Sequence, residues 1–198
     1  YIPAQRVAAV LQRFRGKILQ RPPQASALKI NGQRAYTLFR QGLQPQMPLR
    51  EVYIGSLEIV GHNIDLFPAN STLTIDVVCS KGTYIRSLAV DIGNALDVPA
   101  HLSHLVRTRV KQIDLAQAAS LSDLEEDFRP YLLDLSVAVA SLPRLDLGER
   151  EASSFLHGRA QSLSSPPGEI AVFAKGELLG IAWAEAELVK PIKVLAQE

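Results

Sequence analysis

Residues 79–96 read CSKGTYIRSLAVDIGNAL, and their reading decides how the front of the chain folds. Upstream of them, Leu73, Ile75, Val77 and Cys79 alternate with Thr72, Thr74, Asp76 and Val78, the two-residue period of a strand with one face turned inward. Downstream, Ile85, Leu88, Ala89, Ile92 and Leu96 recur at the spacing of an amphipathic helix. A strand therefore turns at 80–83 and becomes a helix. Packing alone asks for no Lys81, Tyr84 or Arg86 at that join.

A strand-to-helix join collects backbone N–H groups, the Lys81 ammonium and the Thr83 side chain at a helix start, where an anion is held. If the helix has begun by Tyr84, then Tyr84 and Arg86 lie about 200° apart on its first turns; a residue still at the strand end could instead send both into one cleft. A third arrangement, with the Tyr84 ring packed on the core and Arg86 snorkelling to solvent, fits the same residues. The residues alone leave these open.

Outward from the join, Val7, Val10, Leu11 and Phe14 predict a helix opened near Pro3 and stopped by Gly16. Pro22 and Pro23 fix an extended segment, Asn31-Gly32 predicts a tight turn, and RAYTLFRQG a short helix closed by Gly42. Residues 50–60 and 72–80 read as strands joined by a link over 63–71, and HLSHLVRTRV leads to a strand-like exit. After about Lys111 the chain turns acidic and apolar. It then offers a short helix in GEREASSFLHG, a Ser/Pro/Gly loop, and three strands in EIAVFAKG, ELLGIAWAEA and LVKPIKVL. Gly176 suits a hairpin turn there, and Gly180 a close backbone approach in a small barrel.

The 198 residues are enough for one sizeable domain or a medium one plus a small one. A single cysteine, Cys79, excludes an internal disulfide, and its inward strand position suits a small hydrophobe. No run has the length of a membrane span or the shape of a signal peptide, so a soluble cytoplasmic protein is expected, with no membrane partner. Net charge is only +1, yet residues 1–111 hold 14 Lys/Arg against 6 Asp/Glu while residues 112–198 hold 7 against 14. The basic front points to a polyanion. Lys29, Arg34, Arg40, Arg107 and Arg109, with Tyr36 and Phe39 among them, suit phosphate contact combined with base stacking. His101 and His104 stand three apart, but no carboxylate or thiol at ligand spacing completes a metal site, so none is expected.

PPQASALKINGQRAYTLFRQG, CSKGTYIRSLAVDIGNAL and AHLSHLVRTRV, in that order, resemble the tRNA pseudouridine synthase B (TruB) family, which isomerises uridine 55 in the T loop of tRNA. The resemblance runs from about Pro3 to Val110, and the tail looks like the PUA-type RNA-binding barrel of bacterial members. It implies an α/β fold with a mixed sheet: the C-terminal part of a synthase catalytic domain with its linker helix over 1–142, then a PUA-like β-barrel over 143–198. It implies that Tyr84 stacks on the flipped uracil and moves a proton, that Arg86 pairs with the catalytic aspartate, and that Leu105 lines the uracil pocket. Lys81, Lys29 and Arg107 are the expected substrate-binding residues. An aromatic face and an apolar wall replace the stacking an extruded base loses, and a guanidinium keeps an aspartate nucleophile ionised. The family needs no metal or organic cofactor, the expected partner is the tRNA T-arm, and a monomer is expected for the complete enzyme.

Two departures stand out. Ala25 occupies the position before Ser26 where the family usually has a tyrosine, removing a ring that could make a local RNA or packing contact. The family's G-x-L-D-P-x-A-T-G motif, which carries the nucleophilic aspartate upstream, is absent from these residues, so that carboxylate is expected from outside them. Arg144-Leu145-Asp146 lacks the rest of that motif and reads as a domain-joining turn; Asp76 and Asp91 read as structural.

Overall fold

The computed structural model describes residues 1–61, 65–68 and 70–195; part of the predicted 63–71 link lies outside them. Two compact units emerge, Tyr1–Leu105 and Val106–Glu198.

In the first unit, the helix Ala4–Arg13 buries Val7, Val10 and Leu11, one stripe at i, i+3, i+4, with Phe14 packed beside them. Pro3 is the N-cap, and Gly16, at φ +83°, turns the chain into the strand Gly16–Gln20, which the sequence reading does not anticipate. That strand pairs antiparallel with Arg50–Ile59, and Arg50–Ile59 pairs antiparallel with Ile75–Cys79, giving a three-stranded sheet with the long strand at its centre. Residues 21–49 leave the sheet after Gln20 and return opposite it at Arg50.

The long strand contains a register shift between Ile54 and Ser56, where Gly55 sits. A bulge flips the facing of every residue beyond it, so Val52 and Ile54 are buried before the shift and Leu57 after it. The helix Ile85–Ala95 lays Leu88, Ile92 and the following Leu96 on the same core. Cys79 corrects the sequence reading. It pairs with Ile54 at the shift, as the last residue of a strand with no neighbour on its far side among the described residues, and it is exposed.

Gly93 faces the chain that leaves this helix: an added Cβ would meet the Ala100 Cβ at 2.6 Å and the Val98 carbonyl oxygen at 2.8 Å. Alanine in a helix interior is worth about 1 kcal/mol over glycine, but overpacking against backbone costs about 1–3 kcal/mol. Gly93→Ala is therefore expected to lower the unfolding midpoint of this unit. A thermal melt with a raised midpoint would show that the 98–100 turn yields freely.

The second unit is built on a five-stranded sheet in the order Arg144–Asp146, Gly168–Ala174, Glu177–Glu185, Leu188–Val194, Gln161–Ser162. The first two strands run parallel and the others antiparallel. The helix Glu149–Leu156 drives Phe155, fully buried, and Ala152 onto Ile170, Val172, Leu179 and Val189. Lys175 and Gly176, both at positive φ, form the hairpin turn expected at Gly176. Arg144-Leu145-Asp146 is a strand in register with 171–173, which corrects the expected joining turn. The Arg144 guanidinium donates two hydrogen bonds to the Asp146 carboxylate, at 2.8 and 2.7 Å, and lies over the Phe173 ring. Those hydrogen bonds hold the Asp146 carboxyl below the usual aspartate range. Its carboxylate is engaged structurally.

Candidate active site

The join at 80–83 is a closed turn. Thr83 donates its backbone N–H (3.4 Å) and its Oγ1 hydrogen (2.9 Å) to the Ser80 carbonyl, with Gly82 at φ +84°. Ser80 is itself tied to the central strand: its N–H donates to the Tyr53 carbonyl at 2.8 Å and its Oγ accepts from the Tyr53 N–H at 3.0 Å. The Thr83 hydroxyl is thus spent on the turn and does not cap the helix, unlike the anion-holding arrangement the sequence suggests. Lys81 projects from this turn and is exposed.

Helix begins at Ile85, one residue later than the condition for a 200° separation. Tyr84 is the N-cap, in extended backbone at φ −100° and ψ 104°, with no side-chain cap bond. Its peptide groups are held by Gln20. The Tyr84 N–H donates to Gln20 Oε1 at 2.8 Å, and Gln20 Nε2 donates to the Tyr84 carbonyl at 3.1 Å. Tyr84 as a whole is half-buried, and Arg86 is exposed.

Two further bonds lace the helix start to the segment leaving the sheet. Arg86 Nη2 donates to the Ala25 carbonyl at 2.9 Å, and Ser87 Oγ donates to the Arg21 carbonyl at 2.8 Å. Because the Ala25 contact is made by backbone, the missing tyrosine ring leaves it intact. The outgoing leg is tied to the returning one by Arg21 Nη1 on the Met47 carbonyl at 2.9 Å. Ser26 is buried, and its Oγ has no hydrogen-bond partner among the described residues.

From Ser26 and Leu28, whose carbonyls accept the Tyr36 and Ala35 N–H groups, hangs the hairpin Lys29–Ile30 with Gln33–Arg34. Asn31 and Gly32 at positive φ close it as expected, and the short helix Ala35–Arg40 follows. Lys29, Arg34 and Arg40 are exposed; the Arg34 and Arg40 guanidinium carbons lie 6.0 and 5.4 Å from the Tyr36 ring centre.

The structure therefore brings Tyr84, Arg86 and the 20–26 segment together. Leu105 lies in the coil beyond the helix and is 56% exposed. Arg107 belongs to the second unit, where with Arg109, Val110 and Ile113 it lines a shallow cavity of about 320 Å³ at the hairpin Arg109–Val110 with Ile113–Asp114. A larger hollow of about 660 Å³ lies between the Glu149–Leu156 helix and the turn at Lys175. Among the described residues no carboxylate is within ion-pair distance of Arg86. Gln20 is the participant the sequence reading misses. Its signal is a polar residue on the inward parity of a strand, opposite in facing to Leu19.

Solved structures share this fold. A chain in the crystal structure of a Cbf5–Nop10–Gar1 complex superposes over 100% of this chain and 62% of its own, with a TM-score of 0.71 and 26% identity. One in an H/ACA RNP bound to a substrate RNA containing 2'-deoxyuridine matches at a TM-score of 0.72 and 22% identity, over 99% and 62%, and bears on fold alone.

Residues 1–85 match the family model for the TruB family pseudouridylate synthase N-terminal domain, and residues 86–135 that for the tRNA pseudouridylate synthase B C-terminal domain. The tRNA pseudouridine synthase B of Symbiobacterium thermophilum is 44% identical over 79% of this chain and 51% of its own length. That of Dechloromonas aromatica is 41% identical over 91% and 60%. The chain belongs to the TruB family. It spans about half to three-fifths of the length of these two relatives. No described helix is long and apolar enough to cross a membrane.

Proposed function

We propose that these residues are part of a tRNA pseudouridine synthase that acts on uridine 55 of the T loop, flipping the uridine out of its stack and isomerising it through an aspartate-linked covalent intermediate. The observation that carries the reading is the seam at 20–26 and 84–87, which holds a tyrosine and an arginine at one strand-to-helix join inside the family's motifs.

In this reading Tyr84 offers its ring to the extruded uracil and its hydroxyl to a proton at the reacting base. Arg86, with one nitrogen engaged on Ala25, offers the rest of its fork to the incoming aspartate and lowers that carboxyl's pKa. Leu105 supplies an apolar wall. Lys29, Lys81 and Arg107, with the Arg34–Tyr36–Arg40 stack, meet the phosphates and bases of the T-arm. Residues 143–198 act as a PUA-like RNA-binding module, the enzyme works in the cytoplasm as a monomer, and it uses no metal or organic cofactor.

A second reading, RNA binding without catalysis, is favoured by the absence of any carboxylate beside Arg86 among the described residues. One experiment separates the two. The 198-residue chain is incubated with a T-arm stem-loop, alone and with the preceding part of a relative's catalytic domain, and pseudouridine is counted. Binding without conversion by the chain alone, and conversion on addition, is the expected result. Conversion by the chain alone would show that the nucleophile lies within it, and none in either case would leave the RNA-binding reading.

A further inference from the structure

Gln20 is 1% exposed, on the inward parity that Ile18 begins, where an aliphatic side chain would fill the same volume. Its amide is addressed to a single residue, accepting the N–H of Tyr84 and donating to its carbonyl. An amide used this way does for Tyr84 what a paired strand does for a ladder residue, satisfying both main-chain groups at once. Tyr84 stands where the chain passes from extended to helical, and its carbonyl also accepts the Leu88 N–H at 3.0 Å. Without Gln20, nothing else among the described residues receives the Tyr84 N–H.

We propose that Gln20 is a positioning residue: its buried amide sets the backbone of Tyr84, so that the phenol leaves the join in one direction and Arg86 enters the helix in one register. What is being positioned rests on the function proposed above; the clamp itself does not. A leucine at this position would keep the packing but leave a main-chain donor unpaired, which the join relieves by fraying.

The test uses Gln20→Leu and Gln20→Glu with two readouts. In the 198-residue chain, amide hydrogen exchange at Tyr84 is expected to quicken by about tenfold or more in Gln20→Leu, with Ile54 and Val10 unchanged; equal protection at Tyr84 overturns the clamp. In a complete synthase carrying these residues, Gln20→Leu is expected to lower kcat by about 10- to 100-fold with KM within about twofold. Gln20→Glu should regain kcat as pH falls, because burial raises its carboxyl pKa and the protonated form again both donates and accepts. A change in KM alone, or an unchanged kcat, overturns the positioning role. Should Gln20→Leu not fold, a Gln20→Glu pH profile parallel to wild type overturns it equally. A complete wild-type synthase that makes no pseudouridine sinks the proposed function, while exchange at Tyr84 still decides the clamp.

Discussion

Arg86→Ala is expected to abolish pseudouridine formation in a complete synthase carrying these residues, with kcat down by about 100- to 1000-fold, the scale set by removing a preorganised charged donor. The aspartate it would face loses its counter-charge, and a carboxyl carried into a site closed around a flipped base then favours its protonated form, which is no nucleophile. RNA affinity should change little, since one exposed guanidinium among many basic groups is a small share of the phosphate contact. Single-turnover assays beside filter binding check both parts. Turnover near wild type would remove Arg86 from the mechanism, and a collapse of affinity would make it an RNA contact instead. Arg86→Lys is not expected to rescue, because an ammonium cannot hold the Ala25 carbonyl and meet a carboxylate with a planar fork.

Gly180→Ala is expected to produce the largest loss of stability in the second unit. An added Cβ would lie 2.0 Å from the Lys193 carbonyl oxygen and 3.1 Å from the Val194 Cα, and Gly180 sits at φ +155°. The obstacle is backbone of a paired strand, so the relief available is to part Glu177–Glu185 from Leu188–Val194, at a cost of about 3 kcal/mol or more. Urea unfolding followed by the fluorescence of Trp183, the single tryptophan, reads this unit directly. A midpoint equal to wild type would mean that the two strands separate at that point without cost.

Where one side chain pattern met one packed face, the expectations hold closely. The stripe Val7, Val10, Leu11, the stripe Leu88, Ile92, Leu96, and the turns at Asn31-Gly32 and Lys175-Gly176 all answer to local chemistry. Cys79 failed because alternation presumes a continuous ladder, and the Gly55 shift ends that continuity at a strand that has no further neighbour among the described residues. Arg144-Leu145-Asp146 looked like a joint because three residues carry too little pattern; a parallel partner 27 residues later makes it a strand. At the candidate site, Tyr84 and Arg86 were legible as residues out of place in a packing pattern and as parts of a family motif. Gln20 was not, since its meaning depends on a residue 64 positions away.

Local periodicity, turn chemistry and three long motifs were sufficient by themselves to establish the helices Ala4–Arg13, Ala35–Arg40, Ile85–Ala95 and Glu149–Leu156, the longer strands other than Gly16–Gln20, and the family. Only the tertiary structure decided that strand Gly16–Gln20 turns a leucine outward and an amide inward, and that the amide closes on Tyr84. The physical reason is that a buried polar group is settled by the partner that satisfies it, and that partner is brought near only when the sheet and the helix have packed.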